Sequence, residues 1–597
     1  MKSLLKYLKD YKKESILAPL FKMLEASFEL IVPLVVAKVI NVGIKENDKG
    51  FIISMCMVMI LLGVVGLVCS ITAQYFAAKA ATGFAGRLRY EMFGHIQRLS
   101  YSKLDTVGTS TLITRMTSDV NQVQSGVNMF LRLFLRSPFI VIGAVVMAFY
   151  VDADAAMIFA VAIPVLAVVV FAIVFANIPL YKKVQNGLDK VTLATRENLN
   201  GIRVIRAFHK EADEIENFAV KNKELTKIQL FAGRISALLN PITYVIINIA
   251  LVALLYKGAG RVESGAILQG DVIALVNYMS QILVELVKLA NLIVTLTKAL
   301  ACASRIEATM AKPEGMGEEA DDFRQKKAAE NPADIIGKES MEVRSRQKNI
   351  NDECVIFDQV GFTYEGAGAE VLTDMDFKVK RGETIGIIGG TGSGKSTLVQ
   401  LIPRFYDVTR GRILVDGMDV RDYEPDALRQ KIGMVPQKAA LFKGTIRDNL
   451  LFGNKDASEE EIMEAITVAQ AKEFIEQKEG GLEAKVEQGG RNLSGGQKQR
   501  LTIARALVRQ PEILILDDSC SALDYATDAA LRAGIRELSY KPTVFIVSQR
   551  TASIQYADKI IVLDDGEITG IGTHEELMES CQVYQEIYDS QYKKEGQ

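Results

Sequence analysis

The chain has 597 residues, of which 49% are hydrophobic and 24% are charged, and its formal net charge is -2. This length exceeds a single core, and a prior of about 150 residues per domain predicts two to four units. The near-neutral charge argues against a nucleic-acid partner, because phosphate binding needs a basic surface. The six cysteines contain no CxxC pair and the three histidines lie far apart, so neither a zinc site nor a disulfide framework is indicated.

The N-terminal segment MKSLLKYLKDYKKES interleaves lysines with leucine and tyrosine. It lacks the compact apolar region and the small-residue cleavage site of a signal peptide. The pattern predicts an amphipathic helix that lies on the inner membrane surface. A solvated, charged lead-in is the alternative.

Long apolar stretches occur mainly in the first 300 or so residues, whereas the remainder mixes polar and apolar residues as a soluble domain does. A bilayer core about 30 Å thick needs roughly 20 mainly apolar helical residues. Six stretches meet that length, namely 16–41, 51–78, 131–151, 156–180, 232–256 and 271–299. They predict an all-α, six-helix transmembrane domain over residues 1–311.

The links between the predicted spans alternate in length. Short links at 45–50 and 152–154 join the first span to the second and the third to the fourth, while long, basic links follow the second and fourth. Positive charge marks cytoplasmic loops. We therefore predict a multi-pass protein of the cytoplasmic membrane with both termini in the cytoplasm.

The two long links carry apolar residues at helical spacing, which predicts that the helices continue beyond the membrane. At their tips, residues 109–119 and 197–208 each have an apolar face of their own. Either tip could dock onto a soluble domain, and an ordinary helix-helix turn is the alternative.

Several ionisable residues lie inside the predicted spans, where charge is costly and usually faces a partner or a water-filled path. They form the pairs Glu25 and Glu29, Arg132 and Arg136, and Glu285 and Lys288. Two interpretations remain open: a substrate cavity of acidic character, or intramembrane pairing and snorkelling towards the interface.

Residues 312–352 are charged and poor in large apolar side chains, which is typical of a solvated, partly disordered linker. A regulatory role for this segment is the less favoured alternative.

The run GGTGSGKS at 389–396 follows the β-rich stretch 384–388 and matches the P-loop pattern in full. Its glycines let backbone N–H groups wrap phosphates, Lys395 reaches the terminal phosphates, and Ser396 can ligate Mg²⁺. The apolar run ILILDD at 513–518 predicts a strand that ends in a second magnesium ligand, Asp517. The predicted phosphate-binding residues are Gly389, Gly390, Thr391, Gly392, Ser393, Gly394, Lys395, Ser396 and Thr397.

The motif LSGGQ at 493–497 precedes a predicted helix and decides which kind of P-loop protein this is. With it, the chain resembles ABC transporters of the bacterial multidrug exporter type over almost its whole length. The resemblance implies an α/β P-loop nucleotide-binding domain at 353–597, with ATP and Mg²⁺ as cofactors. It also implies that the two cytoplasmic tips are coupling helices.

The resemblance assigns further roles by motif. Tyr364 corresponds to the aromatic residue that stacks on adenine, and Gln437 to the residue that contacts the magnesium and links nucleotide to transmembrane domain. Residues 521–524 correspond to the loop that crosses between cassettes. In this family the signature residues of one chain complete the ATP site of a second chain, and here they are Ser494, Gly495, Gly496 and Gln497. Closing on ATP would switch the helix bundle between inward-facing and outward-facing states.

Two catalytic positions depart from the family pattern. Asp518 stands where the family has a catalytic glutamate, and Gln549 stands where it has a switch histidine. Aspartate is shorter, and positioning errors near 1 Å can cost about a hundredfold in rate. Glutamine cannot carry the positive charge of a protonated histidine. Drift within a functional homodimer is the alternative to a weakened site.

We therefore predict a degenerate-site subunit of a heterodimeric exporter of hydrophobic or amphipathic compounds, drugs or lipids. Its partner is a second half-transporter with an intact glutamate and histidine. The rival hypotheses are a homodimeric lipid flippase and a non-transporting regulator or ATP-gated channel.

Overall fold

The computed structural model describes residues 4–311 and 352–592. Apart from Asp352, the predicted linker lies outside these residues. The described chain forms two compact units. The first contains residues 4–97 and 108–311, and the second contains 98–107 together with 352–592.

The first unit is helical throughout its described residues. It opens with a 3-10 segment, Leu4–Tyr11, and includes two short π-helical segments, Val39–Ile44 and Arg115–Asp119. The α-helices are α1 Lys12–Lys38, α2 Lys49–Arg98, α4 Thr109–Thr114, α5 Val120–Leu133, α6 Arg136–Val151, α7 Ala153–Asn200, α8 Ile202–Ala207, α9 Glu211–Ala237, α10 Leu239–Glu263 and α11 Gln269–Met310. The remaining helix, α3 Tyr101–Val107, belongs to the second unit.

Within the described residues, six helical stretches are long and apolar enough to cross a membrane, and each of the six predicted spans lies inside one of them. The six-helix prediction is thereby confirmed. Helices α2 and α7 have 50 and 48 residues. At 1.5 Å per residue each is more than 70 Å long, roughly twice the thickness of a bilayer core. The predicted helical continuation beyond the membrane is also present.

The N-terminal segment is ordered by protein contacts. Leu4 and Tyr7 are buried in a cluster with Phe84, Leu88 and Met92 of α2. The predicted apolar face therefore exists, but much of it packs against α2 instead of facing lipid.

The second unit contains two main sheets. The antiparallel sheet has the order β2-β1-β4-β5, with β1 Glu353–Phe362, β2 Leu372–Lys380, β4 Arg410–Val415 and β5 Met418–Asp419. The second sheet has the order β12-β11-β3-β10-β9-β6 and is parallel except for β12. Its strands are β3 Thr384–Gly389, β6 Ile432–Val435, β9 Ile513–Asp517, β10 Thr543–Val547, β11 Lys559–Asp564 and β12 Glu567–Gly572. A short pair joins β7 Gly444–Thr445 to β8 Lys485–Val486.

The helices of this unit, besides α3, include those that cover the parallel sheet, as expected for crossover connections between parallel strands. They are α12 Lys395–Leu401, α13 Pro425–Gln430, α14 Ile446–Leu451, α15 Glu459–Val468, α16 Lys472–Glu476, α17 Gly495–Leu507, α18 Tyr525–Arg536, α19 Thr551–Ile554, α20 His574–Ser580 and α21 Gln582–Tyr592. The predicted α/β class of this domain is confirmed.

The parallel register brings three strand ends together. Val547 at the end of β10 pairs with Ile387 of β3 on one side and with Asp517 of β9 on the other. In open α/β sheets, ligands bind outside the carboxyl ends of the strands. This edge is therefore where the fold places a site.

The predicted docking tip at 109–119 is wrong in position. Helix α3, residues 101–107, is the part of the first long link that belongs to the second unit, and Gly108 with a φ of 77° ends it. The apolar face of 109–119 instead packs inside the first unit, where Leu112 is buried and Met116 packs against the core. The sequence showed an apolar face but not which surface covers it.

The second predicted tip contains α8 and remains exposed within the described part of this single chain. The side chains of Val204 and Phe208 are 61% and 73% exposed.

Candidate functional site

The loop between β3 and α12 is shaped by glycines. Gly392 and Gly394 have φ values of 90° and 91°, in the left-handed region that L side chains rarely adopt. A Cβ atom on Gly394 would also lie 2.6 Å from Leu372 Cδ2. The sequence pattern is therefore required by backbone conformation and space, and it gives a tight loop of backbone N–H groups before the helix.

Lys395 is the first residue of α12 and is only 8% exposed. Its ammonium donates to the carbonyl oxygens of Gly389, at 2.9 Å, and Gly390. Burial lowers the pKa of Lys395, and the charges of Asp518 and Asp517 oppose that shift. A phosphate at the loop would supply the close counter-charge that this ammonium lacks.

Ser396 and Asp517 form a hydroxyl-carboxylate pair, in which Ser396 Oγ donates to Asp517 Oδ1 at 2.7 Å. Burial raises the pKa of Asp517, and the hydrogen bond from Ser396 and the charge of Lys395 work against that rise. A divalent cation would favour the ionised carboxylate. Two oxygen ligands beside a phosphate site fit Mg²⁺, which is bound through one or two protein ligands and substrate phosphates.

Asp518 follows β9 and is held by its backbone, whose N–H donates to Val547 O at 3.0 Å. Its φ is 45°, and its Oδ2 accepts a 3.2 Å hydrogen bond from Gln437 Nε2. Gln549 lies two residues beyond β10, with an exposed side chain. The three residues predicted to serve catalysis thus converge at one sheet edge.

These groups line one cavity of about 240 Å³. The lining residues are Val371, Thr391, Gly392, Gly394, Lys395, Ser396, Thr397, Gln437, Asp518, Val547 and Gln549. Val371 and Val547 were not predicted, because a single valine carries no sequence signal. Gly389, Gly390 and Ser393 lie behind the opening, where the two glycine carbonyls and Ser393 Oγ contact the Lys395 ammonium.

Tyr364 is connected to the loop by its hydroxyl, which lies 2.9 Å from Thr397 Oγ1. Its ring packs edge-on against Phe362 and Tyr406, with centroid distances of 4.8 and 5.3 Å. The orientation of the predicted adenine contact is thus set by two neighbouring aromatic residues.

Tyr406 in turn contacts α3, because its hydroxyl donates to Asp105 Oδ2 at 2.7 Å. Burial, and then the carboxylate of Asp105, raise the pKa of this tyrosine. The neighbouring residue Phe405 stacks on Tyr101 with ring centroids 4.4 Å apart. Sequence reasoning missed this contact, although the adjacent aromatic residues 405 and 406 were a usable signal.

A second contact joins α3 to the residue after Tyr364. Lys103 Nζ pairs with Glu365 Oε1 at 3.0 Å, and Ser102 Oγ donates to the same carboxylate at 2.8 Å. Helix α3 therefore touches both sides of the Tyr364 loop.

The LSGGQ motif lies elsewhere in the unit, at the start of α17. Ser494 caps this helix through a reciprocal pair with Gln497, in which each side chain accepts from the other residue's backbone N–H. Ser494 and Gly495 are exposed, and none of residues 494–497 lines the 240 Å³ cavity. The structure thus brings together the predicted P-loop, Gln437, Asp518 and Gln549, but not the signature residues.

A six-span helical unit with a P-loop α/β unit defines an ATP-binding membrane transport protein, and comparisons with known proteins name the family. Residues 15–286 match the family described as ABC transporter transmembrane region, and residues 372–521 match the family described as ABC transporter. The chain belongs to the ABC transporter family.

Relatives cover the chain almost end to end. The uncharacterized ABC transporter ATP-binding protein MT1311 of Mycobacterium tuberculosis is 37% identical over 98% of this chain and 97% of that protein. The putative multidrug export ATP-binding/permease protein YgaD of Bacillus subtilis is 32% identical over 99% and 98%. The solved structure of a bacterial Atm1-family ABC exporter with ATP bound has a TM-score of 0.78 at 22% identity, covering 97% of this chain and 98% of that one.

The family assignment establishes a multi-pass membrane protein with an ABC exporter fold. Its ATP-binding domain implies an ATP-driven translocase. The similarity to the Atm1-family structure concerns the fold alone.

We predict that Lys395→Ala weakens ATP binding at this chain's own P-loop by about tenfold or more, since a hydrogen bond to a charged group is worth roughly 1.5–3 kcal/mol. Titration of the purified protein with a fluorescent ATP analogue measures the effect. Lys378→Ala is the matched control, because Lys378 makes only an exposed ion pair with Glu353. Wild-type affinity in Lys395→Ala would contradict the phosphate assignment.

We further predict that Tyr406→Phe loosens α3, because it deletes the hydroxyl that donates to Asp105 and keeps the ring. The net value of one hydrogen bond, about 1 kcal/mol, corresponds to roughly fivefold faster backbone hydrogen exchange in residues 101–107. Tyr423→Phe is the control, since its hydroxyl donates to Val415 O away from α3. Equal exchange in both variants would show that the Asp105 contact does not hold the helix.

Proposed function

We propose that this chain is the degenerate-site subunit of a heterodimeric ABC exporter that moves hydrophobic or amphipathic compounds, drugs or lipids, out of the cell. The observation that carries the proposal is Asp518, at the position where the family has its catalytic glutamate, beside a P-loop whose binding geometry is intact. A site built in this way retains ATP and hydrolyses it poorly.

Binding at this site uses groups already in position. Lys395 and the loop N–H groups bind the phosphates, Thr397 contributes from α12, and Tyr364 stacks on adenine. Ser396, Gln437 and Asp517 would hold the magnesium ion, which offsets the charge of the β- and γ-phosphates. A nucleotide at the loop competes for Thr397 Oγ1, which the Tyr364 hydroxyl contacts at 2.9 Å.

Hydrolysis requires a carboxylate that positions the attacking water. Asp518 is one methylene shorter than glutamate, and its Oδ2 already accepts from Gln437. A misplacement near 1 Å costs about a hundredfold. Gln549 can donate a hydrogen bond to the γ-phosphate but adds no positive charge to the transition state.

The signature motif supports a second role, towards the partner. Ser494 and Gly495 are exposed at the N-terminus of the 13-residue helix α17. A helix N-terminus with a serine hydroxyl and glycine N–H groups suits the γ-phosphate of ATP bound to another chain. The partner would then supply the P-loop, the catalytic glutamate and the histidine of a competent site.

The exposed tip at 197–208 supports assembly with a second chain. Ile202, Val204 and Phe208 expose apolar surface at the end of a long helix pair. Such clustered apolar exposure is typical of an interaction site. We assign this tip to the soluble domain of the partner, whereas α3 contacts the chain's own cassette.

The export assignment draws on the relatives. YgaD is named a putative multidrug export protein, and the fold is that of an exporter. The homodimeric flippase and the non-transporting regulator remain as the alternatives that the experiments below separate from this proposal.

For topology, we expect cysteines placed at Asp154 and Ser264 to react with an impermeant thiol reagent added to intact cells, because both lie at links opposite the long basic excursions. A cysteine at Thr109 should react only after the cells are opened. These cysteines are introduced into the Cys56→Ser variant, since Cys56 is the exposed native cysteine among the described residues. Labelling of the Thr109 position in intact cells would overturn the orientation.

We expect mutations that affect the two ATP sites to lower the ATPase rate of the purified complex by very different amounts. Asp518→Ala should change turnover less than twofold, because the site that it damages is already slow. Ser494→Arg should abolish most hydrolysis, since it places bulk and charge against the partner's γ-phosphate. Ser590→Arg is the control for an added arginine, as Ser590 is an exposed residue of α21.

Comparable losses from Asp518→Ala and Ser494→Arg would mean that Asp518 is a working base. The chain would then fit a homodimer, and the flippase alternative would gain support. Substrate-independent ATP binding without turnover in any assembly would instead favour the regulator.

A further inference from the structure

Four ionisable side chains meet inside the first unit, between α1, α6 and α11. Arg136 Nη1 donates to Glu285 at 2.6 Å, and its Nη2 donates to Glu29 at 2.7 Å. Lys288 Nζ reaches the same oxygen of Glu285 at 2.8 Å. This Glu29-Arg136-Glu285-Lys288 cluster bears out the pairing interpretation of these charges, and Lys22 with Glu25 at 2.6 Å forms a separate pair.

The carboxylate at the centre of the cluster is fully paired. Glu285 is 3% exposed and accepts from Arg136, Lys288 and the hydroxyl of Ser137. Removing charge here would leave an uncompensated ion in a low-dielectric interior. The carboxylate of Glu285 is therefore structural, whereas Nε of Arg136 is buried without a hydrogen-bond partner among the described residues.

The two ends of the cluster are different. The side chain of Glu29 is 43% exposed and that of Lys288 is 40% exposed. Glu29 uses only Oε2 in the contact with Arg136, and Lys288 uses one of its three donors. The cluster thus presents a free carboxylate oxygen at one end and free ammonium donors at the other.

Both ends open into one cavity of about 360 Å³. Gln281 also lines it, and its Oε1 is buried without a hydrogen-bond partner among the described residues. Val32, Ile140 and Val284 provide apolar wall. A polar atom left unpaired in this environment costs free energy, which a ligand or water must recover.

The charge balance selects the ligand. Two cations and two anions give the cluster no net charge, but the exposed groups carry opposite signs at separate ends. A ligand with a single charge would pair with either Glu29 or Lys288, and its apolar part would then face the other charged side chain. A ligand that carries a positive and a negative group pairs with both ends of the cluster, so neither charged side chain is left facing apolar atoms.

We propose that this cavity binds a dipolar amphiphile, a molecule whose polar end carries both an ammonium group and an anionic carboxylate or phosphate. The ammonium lies against Glu29, the anion lies against Lys288, and a donor of the ligand satisfies Gln281 Oε1. The apolar part lies against Val32 and Ile140. The proposal rests on the export function proposed above and names its substrate class.

Two sources can supply this chemistry. One is a membrane lipid with a zwitterionic phosphate headgroup, which enters sideways from the bilayer. The other is a soluble dipolar amphiphile that enters from the aqueous side. Both present the same pair of charges, so the recognition test comes first and the source is separated afterwards.

The test measures binding of three fluorescent probes that share one short acyl tail and differ in headgroup. The heads are phosphoethanolamine, which is dipolar, phosphoglycerol, which is anionic, and trimethylammonium, which is cationic. The protein is purified with any subunit that accompanies it, placed in nanodiscs of an uncharged glycolipid, and titrated without nucleotide. We expect the dipolar probe to bind about tenfold more tightly than either other probe, as one stranded charge costs at least about 1.4 kcal/mol.

Substitutions at the two ends should change the preference in opposite directions. Glu29→Gln should make the anionic probe the tightest ligand, and Lys288→Gln should make the cationic probe the tightest. Lys288→Arg should keep the dipolar preference, which separates charge recognition from misfolding. Lys298→Gln is the matched control, because Lys298 is an exposed lysine of the same helix that packs over Tyr181.

Equal affinity for the three heads in the wild type, or an unchanged order of affinities in Glu29→Gln and Lys288→Gln, would overturn the proposal. Competition by phosphatidylethanolamine built into the nanodisc would identify the lipid as the source, and competition only by an added soluble dipolar amphiphile would identify the aqueous one. Because no step needs ATP, failed transport with intact probe selectivity would refute the export function and leave this site standing.

Discussion

Charge taken out of water has to be paired, and both units of this protein are organised around that constraint. In the cassette, Lys395 and Asp517 are buried at one sheet edge, and burial pushes the pKa of each towards its neutral form. In the membrane unit, Arg136 and Glu285 are buried against each other. The cassette leaves its charges short of close counter-charges where phosphates and magnesium would bind, whereas the membrane unit completes its centre and leaves only the ends open.

This difference separates binding sites from scaffolding. The fully paired carboxylate of Glu285 joins α6 to α11 through hydrogen bonds from Arg136, Ser137 and Lys288 and acts as scaffolding. Lys395 has hydrogen-bond partners but no ion-pair partner within the described part of the chain, and Glu29 and Lys288 keep unused polar atoms, so a ligand can bind to each of these groups. Which charges lack a close counter-charge, and which polar atoms lack a partner, therefore says more about function than the presence of charge does.

The structure could be predicted from the sequence wherever a motif determines the local backbone conformation or the composition determines which environment a segment occupies. The P-loop is such a case, because Gly394 needs both a left-handed φ and space beside Leu372. The six spans are another, because a continuous apolar segment of about 20 residues satisfies its backbone inside a bilayer by forming a helix. The docking surface of the first long link was not predictable in this way. Residues 109–119 and helix α3 both carry side chains suited to packing, and only the tertiary structure decides which surface each one meets.

The charged pairs inside the spans show the same limit. Helical spacing placed Glu25 near Glu29 and Arg132 near Arg136, yet the decisive contacts join residues more than 100 positions apart, as Arg136 does to Glu29 and Glu285. Long-range pairing of this kind depends on how helices pack, which a single sequence does not encode locally. The cavity is lined by Glu29, Glu285 and Lys288, and Arg136, which pairs with both carboxylates, brings the cluster to zero net charge.

In the proposed heterodimer, a slow site still needs a way to affect the membrane unit, and binding alone provides one. Tyr364, the predicted adenine contact, packs against Tyr406, which holds α3 through Asp105, while Glu365 holds Lys103 and Ser102 of the same helix. An adenine ring stacked on Tyr364 would change the packing around Tyr406 whether or not the γ-phosphate is cleaved. In that proposal, selection can preserve every ATP-binding residue of this chain while Asp518 and Gln549 lose catalytic power, because the contacts from Tyr364 to α3 do not require hydrolysis.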